Sequence, residues 1–151
     1  MISADSNIFI YLFDDKEPVK QPVAAEVVAA LATVDCVIGL QVVGEVRTVL
    51  QLKQKQPSWR ASEHAHNLFT TFDSFGYGRN AVEKALEYSA TGGLSYWDAL
   101  LLAAAAEAGC TVLLSEDMGN GADYFGVRVI NPFGTDGLTP AARAVLKRPE
   151  D

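Results

Sequence analysis

Cysteine is scarce: Cys36 and Cys110 are the only two in 151 residues, and each sits inside an apolar run. That excludes a disulfide framework, and with no close Cys pair and only two histidines it also argues against a structural zinc site. The pattern is that of small buried hydrophobes in a reducing compartment, and a cytoplasmic location is expected. No apolar run approaches the roughly 18 residues that a membrane span needs, so no membrane association is expected. The opening Met1-Ile2-Ser3-Ala4-Asp5 has no basic stretch and meets an acid at once, unlike a secretory leader. No GxGxxG or Walker pattern occurs, and Gly119-Asn120-Gly121 lacks the arrangement of a phosphate loop. Basic charge is also short, with 12 Lys and Arg against 19 Asp and Glu, for a net charge of −7. Taken alone that speaks against a nucleic-acid binder. The shortage is uneven, however: segment 46–84 carries six bases (Arg47, Lys53, Lys55, Arg60, Arg79 and Lys84) and three acids (Glu63, Asp73 and Glu83). It is either an ordinary solvated face or a basic flank beside an acidic site.

What is abundant is apolar surface, at 49% of residues. A chain of this length can bury roughly 70% of its unfolded area in one core. Short apolar runs predict strands at 2–5, 36–38, 111–114 and 127–130, with a weaker one at 74–77. Helical spacing of apolar residues predicts helices over 6–13, 19–34, 41–55, 59–72 (N-capped by Ser58), 79–90 and 95–108. Ser95 is the expected cap of the last of these and Gly109 its terminator. Thr139-Pro140 opens a short terminal helix. Strands alternating with helices predict a single α/β domain built on a parallel sheet.

In such a sheet ligands gather beyond the carboxyl ends of the strands. Asp5 ends the first strand, and Ser115, Glu116 and Asp117 follow the fourth. Glu45 and Asp98 fall in the first turns of helices. Asp98 shares a stripe with Leu94, Leu101 and Leu102, and Glu45 with Val42 and Val49, with no Lys or Arg on either stripe. A carboxylate facing a core is costly unless it is paired or binds a cation. Each acid also has a purely local explanation. Asp5 could cap the helix that starts at Ser6, and Asp98 could belong to a capping box with Ser95. Glu45 could lean to solvent beside Arg47, and Glu116-Asp117 could be turn acids. All four explanations would have to hold at once, at one end of one sheet. Clustered hard oxygens suit Mg²⁺ or Mn²⁺ better than zinc. Asn7 and Ser115 are placed to orient a carboxylate, or otherwise to cap locally. His64 and His66, two apart on one exposed helix, face different ways and are not expected in the site. Tyr96 and Trp97 are expected in the core.

Ile2-Ser3-Ala4-Asp5-Ser6-Asn7 resembles the opening motif of PIN domains. Gln41-Val42-Val43-Gly44-Glu45-Val46 resembles the second motif, Leu94-Ser95-Tyr96-Trp97-Asp98-Ala99-Leu100 the third, and Leu114-Ser115-Glu116-Asp117-Met118 the fourth. Val127-Arg128-Val129-Ile130-Asn131-Pro132-Phe133 resembles the closing strand. The group most similar in pattern is the bacterial toxins of the VapC type. The chain departs from it in three places. Leu40 stands where a capping Ser or Thr is common, Gly44 weakens the same helix by about 1 kcal/mol relative to Ala, and the 119–121 loop lacks a polar pair.

The resemblance implies a three-layer fold with a five-stranded parallel sheet flanked by helices. The domain would span 1–133, leaving a tail at 134–151 with a short helix. It implies a Mg²⁺- or Mn²⁺-dependent endoribonuclease, the toxin of a toxin–antitoxin pair, with Asp5, Glu45, Asp98 and Asp117 as metal-site acids. Asn7, Ser115 and Glu116 would support them, and Arg47, Lys53, Lys55 and Arg60 would hold the RNA backbone. RNA, a cognate antitoxin and a second copy of the chain are the expected partners. The alternatives are a non-catalytic PIN-like module that binds protein, and a Mg²⁺-dependent phosphohydrolase acting on a small substrate.

Overall fold

Ile2, Ser3 and Ala4 are buried and extended, forming β1 (Ile2–Ala4) in the middle of a computed structural model that describes residues 1–148. Asp5 stops the strand by turning into the next helix, its carboxylate accepting the Ser6 N–H at 2.7 Å. Helix α1 (Ser6–Tyr11) leads to α2 (Lys20–Leu31), β2 (Val37–Gly39), α3 (Leu40–Leu52), α4 (Ser58–Thr71) and β3 (Asp73–Phe75). There follow α5 (Arg79–Ala90), α6 (Tyr96–Glu107), β4 (Val112–Leu114), β5 (Asp123–Tyr124) and β6 (Val127–Ile130). A hairpin of β7 (Phe133–Gly134) and β8 (Gly137–Leu138) and the helix α7 (Pro140–Val145) close the described chain.

The expected single five-stranded parallel sheet is not what forms. The strands divide four, two and two. One sheet has the order β1-β4-β6-β5, with β1, β4 and β6 parallel and β5 antiparallel to β6. A second is the parallel pair β2–β3, and the third is the β7–β8 hairpin. Between β1 and β2 only one isolated parallel bridge forms, Ile2 with Cys36, where the Ile2 N–H reaches the Asp35 carbonyl at 2.9 Å. Each strand instead spends its three-residue ladder on its other neighbour, β1 on β4 and β2 on β3, and the two pairs touch only where they begin. The antiparallel edge has a different cause. Phe125 (φ 56°) and Gly126 (φ 82°) both adopt left-handed backbone, the signature of a two-residue type I′ turn, and fold β5 back on β6. A phenylalanine in that conformation is uncommon, so Tyr124-Phe125-Gly126-Val127 carries no ordinary hairpin signal.

The core follows from the apolar spacing. Val23, Val27 and Leu31 of α2, Val42, Val46 and Leu50 of α3, and Leu68 of α4 pack with the strands. Helix α6 is buried nearly all round. Leu101 and Leu102 join this main cluster, while Ala99, Leu100, Ala103 and Ala104 meet Ala81 and Ala85 of α5. Small residues on both helices permit that approach. Its cap is as expected, with Ser95 Oγ accepting the Asp98 N–H at 3.2 Å. Ser58, by contrast, is the first residue of α4 rather than its cap. Pro57 takes the cap position, and Ser58 Oγ accepts instead from Gln51 Nε2 at 2.7 Å. Gly39 precedes α3 where a Cβ would lie 3.0 Å from Leu101 Cδ1, so α6 packs tightly on this turn. After β8, Thr139 caps α7, and Ala142 and Leu146 are buried in the main cluster.

Candidate metal and phosphate site

The chain leaves β1 towards β2 on one side and is joined by β4 on the other, so a crevice opens beyond the carboxyl ends of β1 and β4. A cavity of about 540 Å³ lies there, lined by Asp5, Glu45, Asp98 and Asp117 together with Asn7, Tyr11, Phe13, Lys16, Lys53 and Lys55. These four acids, from four separate segments, therefore share one space, and Asp14 and Asp15 of the turn after α1 line it too.

Asp5 is the most buried of them, at 7% exposure. One carboxylate oxygen accepts from Ser6 N–H, and the other accepts the Ser115 hydroxyl at 2.8 Å. Ser115 Oγ in turn accepts the Asp117 N–H at 3.2 Å. Asn7 Nδ2 donates to Asp117 Oδ2 at 3.2 Å and lies 3.5 Å from Ser115 Oγ. Glu45 is held by Gln41, one turn earlier on α3. Gln41 Nε2 donates to Glu45 Oε1 at 2.9 Å and to the Trp97 carbonyl at 3.1 Å, tying α3 to the first turn of α6, where Asp98 stands.

Burial raises the Asp5 pKa from 3.8 to about 6; the Ser115 and Ser6 hydrogen bonds pull it down, and the Glu45 and Asp98 charges push it further up. Asp98 is raised too, first by burial, with the Ser95 contact opposing and the Glu45 and Asp117 charges adding. Both acids are thus poorly stabilised as anions by their own surroundings. Among the described residues no ion pair involves any of the four; the pairs present are Lys20–Glu116 and Arg143–Glu26. The amide oxygen of Asn7 is buried without a hydrogen-bond partner. Unpaired carboxylates and an orphaned amide oxygen are the donor chemistry of a hard divalent cation. The side chains do not stand as a ready coordination shell: among the described residues no group of three Asp, Glu, His or Cys is disposed to hold a metal ion.

Of the expected phosphate-holding residues, Lys53 and Lys55 line the cavity. Lys53 stands eight residues beyond Glu45 along α3, about 12 Å at helical rise. Lys55 is held in left-handed backbone at φ 58°. Arg47 and Arg60 lie elsewhere. Arg47 contacts Ser62 and Gln51, and Arg60 lies over Trp59. Glu116 also turns away from the cavity, to Tyr11 and Lys20. His64 packs on the Phe13 ring at 4.0 Å in a separate apolar groove, and His66 is exposed. Trp97 is exposed rather than in the core, while Tyr96 is half-buried against the cluster between α5 and α6.

Sequence reasoning missed Gln41, Lys16 and Tyr11. Only Gln41 had a readable signal, its i, i+4 spacing to Glu45. Lys16 sits in a turn and Tyr11 at the end of a short helix, and neither position announces a cavity.

An α/β protein with a carboxylate-lined crevice where the chain path reverses belongs to a limited set of folds. The chain matches the PIN domain over residues 2–119 and belongs to that family. It is structurally related to several toxins of toxin–antitoxin systems. VapC20 of Mycobacterium tuberculosis, a sarcin–ricin-loop-cleaving toxin, superposes with a TM-score of 0.66 at 20% identity over 85% of this chain and 99% of that one. A toxin–antitoxin complex from Klebsiella pneumoniae gives 0.64 at 20% identity, covering 88% and 98%. The FitAcB structure from Neisseria gonorrhoeae gives 0.63 at 18% identity, covering 87% and 98%. No curated protein matches the sequence significantly. No described helix is long and apolar enough to cross a membrane.

Proposed function

We propose that this chain is a divalent-metal-dependent endoribonuclease, the toxin of a toxin–antitoxin pair. The observation that carries the reading is the meeting of Asp5, Glu45, Asp98 and Asp117 in one cavity at the carboxyl end of β1 and β4. Asp5, Asp98 and Asp117 would hold Mg²⁺ or Mn²⁺, with Glu45 acting directly or through a water. When bound, the ion supplies charge to polarise the scissile phosphate and to make water a stronger nucleophile. Ser115 and the Ser6 N–H fix the Asp5 carboxylate, Asn7 aims Asp117, and Gln41 aims Glu45. Lys16, Lys53 and Lys55 hold the neighbouring phosphates of the strand, which supplies positive charge where the net −7 chain needs it. Membership of the PIN family supports the nuclease reading, and the structural likeness to a toxin–antitoxin complex supports an antitoxin partner; a homodimer is part of the same proposal. We take residues 1–133 as the catalytic unit and 134–151 as its tail. The free thiols Cys36 and Cys110, whose pKa values burial raises, are compatible with the cytoplasm.

RNA cleavage by the purified chain with Mg²⁺, with EDTA and with the Asp98→Asn variant tests the proposal. Cleavage with Mg²⁺ that EDTA and the variant both abolish is expected. Cleavage that persists in either case refutes it.

A further inference from the structure

Glu116 lies between two residues of the acidic site, Ser115 and Asp117, yet its side chain leaves the cavity. The Tyr11 hydroxyl donates to Glu116 Oε1 at 2.8 Å. Lys20 Nζ pairs with Glu116 Oε2 at 2.9 Å. The same Nζ donates to Tyr11 Oη at 3.2 Å and stands 4.8 Å from the centre of the Tyr11 ring. That ring meets Phe133 edge-on at 5.1 Å. One point thus clamps the last residue of α1, the first of α2 and the loop after β4.

Two of those segments carry the site. Helix α1 begins just after Asp5, holds Asn7 in its first turn, and is anchored in the core by Ile8 and Phe9. The loop after β4 carries Ser115 and Asp117. Inside the cavity the two segments are joined by Ser115 to Asp5 and by Asn7 to Asp117. Tyr11, on the cavity wall, and Glu116 join them again about one turn further along α1. Two ties at separated points fix both distance and angle between the segments, where one tie would leave a hinge.

We infer that the Tyr11–Glu116–Lys20 cluster is a brace that sets the placement of Asp117 against Asp5 and so the metal affinity of the cavity, Glu116 being a positioning residue and not a ligand. The inference rests on the metal-site reading above. Residues that orient metal ligands typically change affinity 10- to 100-fold when removed.

The test is Mn²⁺ binding to the purified protein without RNA, followed by electron paramagnetic resonance, with melting in EDTA to check each fold. Tyr11→Phe keeps the ring, its Phe133 contact and the Lys20 ammonium over its face, and removes the hydroxyl with its hydrogen bonds to Glu116 and from Lys20. It is expected to weaken Mn²⁺ binding about tenfold. Glu116→Ala is expected to do the same or more, while Glu116→Gln, which still offers an oxygen to Tyr11, keeps most of the affinity. If Tyr11→Phe binds Mn²⁺ like the wild type while Glu116→Gln loses as much as Glu116→Ala, Glu116 is a direct ligand and the brace is overturned. Asp5→Asn separates that failure from failure of the underlying reading. If Asp5→Asn leaves Mn²⁺ binding intact, the acids are not a metal site and the brace has nothing to position.

Discussion

Replacing Asp5 with asparagine makes the metal-free protein more stable at neutral pH. The carboxyl titrates at 3.8 ordinarily and at about 6 when buried in the fold. Between those values the folded protein binds the proton and the unfolded chain does not. Stability from this group is therefore complete below about pH 4 and is lost as the pH rises through about 6. The loss by pH 7 is about 3 kcal/mol, because each tenfold difference in proton affinity between the folded and unfolded chain is worth about 1.36 kcal/mol. Asparagine is neutral throughout and can still accept the Ser6 N–H, but it disturbs the donor role of the Ser115 hydroxyl, at up to about 1 kcal/mol. The net expectation is a gain of about 2 kcal/mol at pH 7 and none at pH 4. Urea unfolding of both proteins in EDTA, at pH 4, 5, 6, 7 and 8, measures the difference as a function of pH. A difference that does not change between pH 4 and 7, or a variant less stable than the wild type at pH 7, refutes the argument that buried charge on Asp5 strains the apo fold. If the four acids hold a metal as proposed, saturating Mg²⁺ is expected to reverse the order. At a hundredfold excess over its dissociation constant it adds about 2.7 kcal/mol to the protein that binds it, and little to the variant.

Charge reversal at Lys53 and Lys55 reduces the salt slope of RNA binding by about 1 for each lost phosphate contact. Reversal at Arg60, outside the cavity, leaves the slope unchanged, and filter binding across a salt series distinguishes the two. Gly44→Ala raises stability by about 1 kcal/mol, because the glycine is exposed inside α3 with nothing within 4 Å of a new Cβ. Thermal melting checks it. Gly39→Ala lowers stability by about 1–3 kcal/mol, because its Cβ meets Leu101 at 3.0 Å and Phe75 at 3.3 Å; the same melts show it as a fall in midpoint.

Much of the acidic site could be read in advance because each acid sits at a position that local chemistry defines. Asp5 is both the cap of α1 and a wall of the cavity, and Ser95 caps α6 while Asp98 beside it faces the same cavity. The local explanations for these two were therefore incomplete: the Asp5 cap uses one oxygen while the other meets Ser115, and the Ser95 cap uses only the backbone N–H of Asp98. The basic segment was legible only as composition. Lys53 and Lys55 reach the cavity, and Arg47 and Arg60 do not, because the chain turns sharply at Lys55 after α3 ends.

By itself the sequence determined what depends on neighbours three or four residues apart: the helices, their caps at Asp5, Ser95 and Thr139, and the placing of acids just past the ends of apolar runs. Tertiary structure decided everything that depends on where distant segments arrive. It limited β1 and β2 to one bridge, folded β5 back through a left-handed Phe125, and moved Ser58 from a cap to a partner of Gln51. It also sent Glu116 out to Tyr11 and Lys20, 105 residues away in sequence from the tyrosine. Strand pairing and side-chain brackets of this kind exchange hydrogen bonds with groups far along the chain. No local periodicity records which of them the folded path will bring within 3 Å.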